Sequence, residues 1–190
     1  MISYRQMLYN RYTDFTAINT WTTVKSLLSG FSQPTLWHPA LDFTQVGRQF
    51  RLGGRGVVSC TSTPTFILTV YLGPTKMTGD NQTSPAGTVI GISNSLTATS
   101  ASSSVFEFWL DIVLTAPAVG ANATITSSGI VLCSVFTPPV ADLAPTFGSA
   151  TWTTTIDCSV DNYFQVCGTC GTSNSANILQ LKHLYLEALN

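Results

Sequence analysis

The segment Val105 to Thr115 constrains this chain more than any other. Phe106, Phe108, Leu110, Ile112 and Leu114 occupy one face, while Glu107, Trp109, Asp111 and Val113 share the opposite one. Successive side chains of an extended backbone point to opposite sides, so this alternation marks a strand with one buried face. A lone strand is unstable, and the fold must supply partners for it.

Partners are plentiful along the sequence. Thr65 to Leu72 places Phe66, Leu68, Val70 and Leu72 on one side. Val46 to Leu52 alternates, and the run Gly53-Gly54-Arg55-Gly56 before Val57-Val58-Ser59-Cys60 predicts a bend or bulge within a strand pair. Thr88 to Ile92 is a short strand. Ala123 to Phe136 reads as two pieces around a break at Ser127-Ser128-Gly129, and Thr151 to Ile156 and Tyr163 to Cys167 follow. Residues 74 to 87 and the Ser/Thr/Ala-rich stretch 93 to 104 read as exposed loops. The final segment, Asn177 to Ala188, is open to two readings. A helix would gather Leu181, Leu184, Tyr185 and Ala188, whereas a strand puts Leu179, Leu181, His183 and Tyr185 on one face. The preceding Gly-Thr-Ser-Asn turn favours the strand. About eight strands joined by turn-rich loops, with no amphipathic helices between them, predict an all-β fold: a two-sheet β-sandwich, jelly-roll-like, over residues 34–190.

Residues 1–33 differ. They carry Tyr4, Tyr9, Tyr12, Phe15, Trp21 and Phe31 among polar residues without period-two alternation, which reads as an extended N-terminal arm. Within it, Asn19 or Thr20 is placed to cap a short helix through Trp21, Val24, Leu27 and Leu28 that ends at Gly30, so the arm is expected to be partly helical. Aromatic side chains on an arm with no core of its own must pack either on the sandwich or on another chain.

Charged residues make up only 9% of the 190, far below the roughly one quarter of an ordinary soluble domain. Ser and Thr, about a quarter of the chain, supply the polar surface, and Thr favours strands as well. Eight Lys and Arg in all, with a net charge of -1, speak against nucleic acid as a partner. The charge is uneven along the sequence. Six cations face two acids in the first 55 residues, a balance of +4, and two cations face seven acids in the rest, -5. Such asymmetry fits a few solvated arginines, the commoner case, and also a front steered towards an acidic partner surface. No secretory signal follows Met1, and no apolar run is long enough to span a membrane, so cytoplasmic synthesis without membrane association is expected. On that reading the sequons at Asn81 and Asn122 are chance matches.

Candidate chemistry is sparse. His38 and His183 read as structural, and neither a Gly-x-Ser-x-Gly elbow nor a His-Glu-x-x-His motif is present. Glu107 and Asp111 stand four residues apart on one strand face, roughly 13 Å, which is wider than the carboxyl pairs of glycosidases. They read as solvent-facing charges. Gly53-Gly54-Arg55-Gly56 lacks the following helix and the Lys-Ser/Thr ending of a phosphate loop. Cys167-Gly168-Thr169-Cys170 has the spacing of a zinc or redox pair, but structural zinc needs four ligands and a redox pair opens a helix. Cys60, Cys133, Cys158, Cys167 and Cys170 form an odd set that fits reduced, buried thiols. No catalytic residue, metal site or cofactor is predicted, and the chain reads as a non-enzyme.

The order of segments resembles that of jelly-roll virion proteins of tailed bacteriophages. The similarity runs through Pro34-Thr35-Leu36 and Leu41, Val46 to Leu52, Gly56-Val57-Val58-Ser59, Pro64-Thr65-Phe66, Phe108-Trp109-Leu110, Val119-Gly120, the Gly129 strand and Glu187-Ala188. It covers residues 34 to 190 and leaves the arm out. The resemblance implies a capsid decoration or cement protein on the virion surface that clamps major capsid proteins, with a homo-oligomer, favoured as a trimer. In that role Arg5, Tyr9, Arg11, Tyr12 and Trp21 are the expected arm contacts. The competing role is a fibre, baseplate or receptor-binding component that recognises a host surface glycan.

Overall fold

The computed structural model describes residues 6–12, 14–28, 37–38 (backbone), 45–75, 85, 87–116, 123–145 and 153–189. Arg5, the sequon asparagines Asn81 and Asn122 and most of the 74–87 loop lie outside the described residues. The strands in chain order are β1 (Gln6–Arg11), β2 (Ile18–Asn19), β3 (Lys25–Ser26), β4 (Trp37–His38), β5 (Gln49–Cys60), β6 (Thr65–Gly73), β7 (Thr88–Ser93), β8 (Leu96–Ala98), β9 (Ala101–Ala116), β10 (Ala123–Cys133), β11 (Phe136–Thr137), β12 (Val140–Ala144), β13 (Thr153–Ile156), β14 (Asn162–Cys170) and β15 (Ile178–Ala188). The fold is all-β.

All pairings are antiparallel, and the main path runs β1-β15-β5-β9-β10-β12-β7-β6-β14-β3. The chain behaves as a long hairpin rolled upon itself: β5 pairs β15, β6 pairs β14, β7 pairs β12 and β9 pairs β10. The sheet therefore curls until the β15-β5-β9-β10 half faces the β12-β7-β6-β14 half. Between them lie Phe50, Leu52, Phe106, Phe108 and Leu110 from one side and Phe66, Leu68, Val70, Phe164 and Val166 from the other, all buried. This is a sandwich-like core, continuous through β10 and β12.

β9 follows its sequence pattern. Phe106, Phe108, Leu110, Ile112 and Leu114 are all buried. The bulge expected within a strand pair at Gly53–Gly56 is present but falls on the partner strand: the β5–β15 ladder slips between Leu181 and His183, opposite Gly56 and Arg55, whereas the break expected at Gly129 is absent. β5 runs unbroken through Gly53, Gly54 and Gly56, because side chains from neighbouring strands lie across the positions where Cβ atoms would stand. A Cβ on Gly53 would meet the Tyr185 ring at 2.3 Å, and one on Gly56 would meet Phe106 at 2.6 Å. β10 likewise continues through Gly129, where a Cβ would lie 1.9 Å from the Trp109 carbonyl oxygen. The stretch 93–104 is not one loop either: it holds the end of β7, then β8 and the start of β9.

Among the described residues the arm holds no helix, and Gly30, its expected end, lies outside them. Residues 14–28 cross the seam between the two borders of the curl: β1 and β2 pair with β15, and β3 and β4 pair with β14. The Phe15 amide donates to the Leu181 carbonyl at 3.0 Å, and the Leu27 amide donates to Val166 at 2.8 Å. Trp21 Nε1 donates to the Gly168 carbonyl at 3.2 Å. A helix of two turns is marginal in water, whereas the seam offers backbone partners and an apolar trench together. Phe15, Ile18, Trp21 and Leu27 are each at most 2% exposed as a result.

Candidate functional site

The face of β15, β5 and β9 that turns away from the core carries three cross-strand rows. Register places Glu187 opposite Arg51 and Asp111, Tyr185 opposite Gly53 and Trp109, and His183 opposite Arg55 and Glu107. β1 extends the middle row with Asn10 beside Tyr185. Just past β1, the Tyr12 ring stacks on His183, with centroids 4.3 Å apart and planes within 6°.

A bulge in β15 creates this arrangement. Leu181 pairs with Gly56 and His183 with Arg55, so Lys182 is the extra residue. Inward positions shift from Leu179 and Leu181 to Leu184, Leu186 and Ala188, all buried. The single-face strand pattern, which grouped His183 and Tyr185 with Leu179 and Leu181, is corrected accordingly: the bulge turns the two rings to the outer face. Lys182, freed from the ladder, pairs with Asp14.

The charges of this face are matched across strands. Arg51 grips Asp111 bidentately, Nε to Oδ1 at 2.6 Å and a terminal nitrogen to Oδ2 at 2.7 Å. That hydrogen bonding raises the guanidinium pKa against the opposing effect of burial. Arg55 pairs with Glu107, more openly to solvent. The sequence asymmetry between a basic front and an acidic remainder is therefore cancelled in space at these pairs, because β5 lies between β9 and β15. Asn10 Nδ2 donates to the Tyr12 hydroxyl at 3.2 Å, and His183 Nε2 lies 2.9 Å from Asn10 Oδ1. Burial lowers the His183 pKa, and the neighbouring Arg55 lowers it further, both favouring the neutral ring. Burial raises the Tyr185 hydroxyl, and Glu187 adds to that effect.

Among the arm residues, Tyr12 is 73% exposed and reaches this face. Tyr9 is partly buried against the core, the Arg11 guanidinium lies 4.6 Å over the Phe15 ring, and Trp21 is inside the core. Sequence reasoning did not single out Arg55, Trp109, His183 or Tyr185 as a group, since they come from three strands. The phase slip between Leu179-x-Leu181 and Leu184-x-Leu186-x-Ala188 was the available signal for the bulge.

The five thiols are all buried and free. Cys167 and Cys170 sit three residues apart on β14 and so point to opposite sides of the sheet, which separates them as ligands. Burial pushes the Cys167 thiol up to about 12, and burial with the nearby Asp157 pushes Cys158 up to about 11. No group of three or more His, Cys, Asp or Glu side chains stands together to hold a metal among the described residues. No family model matches the chain, and no curated protein matches it in sequence.

Proposed function

We propose that this chain is a non-enzymatic structural protein of a phage particle, a decoration protein that binds the outer capsid surface and stabilises contacts between major capsid proteins. The observation that carries this reading is the border of the sheet. On β1, Met7 is 49% and Leu8 36% exposed, while the cations of the strands next along the sheet are paired, Arg51 with Asp111, Arg55 with Glu107 and Lys182 with Asp14. An apolar border on a rigid, cross-paired face suits protein contact. The β1 ladder is irregular between Met7 and Tyr9, where Leu8 falls out of register. That irregularity blunts open strand addition and favours docking by side chains.

The rolled pairing of β5 with β15 and of β6 with β14 supports a jelly-roll assignment, and the segments that carry the phage resemblance fall largely on β5, β6, β9, β10 and β15. A trimer is the expected oligomer. The test is co-sedimentation of the protein with capsids purified without it. Met7→Lys combined with Leu8→Lys should abolish co-sedimentation while leaving thermal unfolding nearly unchanged. Undiminished co-sedimentation of that variant would remove the basis for a β1 contact, and failure of the parent protein to sediment would contradict the capsid role.

A second reading, a fibre or receptor-binding component that recognises a glycan, is favoured by one specific feature: the aromatic and ion-paired trough on the outer face of the same sheet.

A further inference from the structure

Between Tyr12 and Trp109 the outer face forms a trough of about 310 Å³, walled by Arg55, Glu107, His183 and Tyr185 and floored at Gly54 and Phe108. This is at the lower end of the roughly 300–1,000 Å³ of small-ligand sites. Three features fix what chemistry it suits. Aromatic lining comes from Tyr12, Trp109 and Tyr185, and the first is held in place by its stack on His183 and its hydrogen bond from Asn10. The polar wall is the Arg55–Glu107 ion pair, which offers guanidinium donors and carboxylate acceptors side by side. The wall carries no net charge, since Arg55 is already matched by Glu107.

We infer that this trough binds a neutral saccharide unit, with the C–H face of the sugar laid on Tyr12 and Trp109 and adjacent hydroxyls bridging Arg55 and Glu107. A phosphate or carboxylate ligand would need a cation that Glu107 does not already neutralise. A flat nucleobase would use the rings but leave the ion pair's remaining donors and acceptors unanswered. A sugar has both an apolar face and a rim that donates and accepts, so it uses both halves of the lining. The inference does not depend on where the protein sits on a particle, and the residues differ from the Met7–Leu8 border.

The experiment is titration of the full-length protein, by saturation-transfer NMR and calorimetry, with glucose, galactose, mannose, rhamnose, N-acetylglucosamine, lactose and maltose. N-acetylneuraminic acid and adenosine serve as the anionic and flat-ring comparisons. At least one neutral saccharide should bind with a Kd of about 1 mM, the scale expected for so small a ligand on an open surface. Tyr12→Ala and Glu107→Gln should each weaken it by about tenfold or more, with the near-UV circular dichroism of the fold retained. Glu107→Gln, which touches neither the arm nor the Met7–Leu8 border, should still co-sediment with capsids, which separates failure of this inference from failure of the capsid role. Binding of no neutral saccharide, binding indifferent to both substitutions, or binding of N-acetylneuraminic acid or adenosine alone would overturn it.

Discussion

Gly53 shows how one residue type shapes the outer face. The Tyr185 ring occupies the volume that any Cβ there would claim, at 2.3 Å. Gly53→Ala should therefore rotate Tyr185 out of its place and cost about 1–3 kcal/mol, the usual range for overpacking, as read by urea denaturation; a neutral result would mean that the ring moves freely. His183 gives a pH signature. Its pKa in the folded protein lies below the unfolded value, through burial first and Arg55 second. The unfolded chain then binds more protons as pH falls, so the stabilising effect is present above about pH 6.5 and is lost as pH drops towards the folded pKa. The groups around it are Asn10, Tyr12, Arg55, Glu107 and Tyr185. Urea titrations between pH 7 and 5 should show the parent protein losing stability more steeply than His183→Gln, and equal slopes would refute the assignment.

Among the elements, the long strands were legible because burial imposes period two, and β9 needed nothing beyond its own apolar alternation. Of the two glycine-containing runs, the one at Gly129 is continuous strand rather than a break, while the bulge expected at Gly53–Gly56 lies on the partner strand β15. Glycine in a strand signals a bend as readily as it signals a ring or carbonyl approaching from the next strand, and only the register distinguishes them. The arm was misread as partly helical for a similar reason. Trp21, Leu27 and Leu28 have helix-compatible spacing, yet their fate was decided by acceptors on β14 far along the chain. The candidate site was the least legible, because Arg55, Glu107, Trp109 and His183 meet only through strand register. The bulge in β15 makes a clean element-level prediction. Deleting Lys182 leaves Leu181 opposite Gly56 and His183 opposite Arg55, so the apolar alternation becomes regular. The deletion should keep the fold and change stability by no more than about 1 kcal/mol, since the lost pair with Asp14 is exposed. Unfolding of the deletion variant would show that the bulge is needed for closure.

At the scale of the whole molecule, the arm is part of the core. Phe15, Ile18, Trp21 and Leu27 are buried in the seam, and at about 1.5–3 kcal/mol for each such side chain their combined burial rivals the entire stability of a typical domain. A chain lacking residues 1–28 should lose near-UV circular dichroism and cooperative unfolding, so arm removal reports on folding before it reports on binding; a cooperatively folded truncation would show that the curl closes without the arm. With the arm consumed in closure, what remains for contact with a capsid is the β1 border, while the outer face of the β15-β5-β9 sheet carries the saccharide trough. The most direct test of a capsid-decorating role is the copy number of the protein on purified particles, counted by quantitative mass spectrometry against the major capsid protein. The expected result is a stoichiometry commensurate with the capsid lattice; absence from particles, or only the few copies of a tail component, would contradict it.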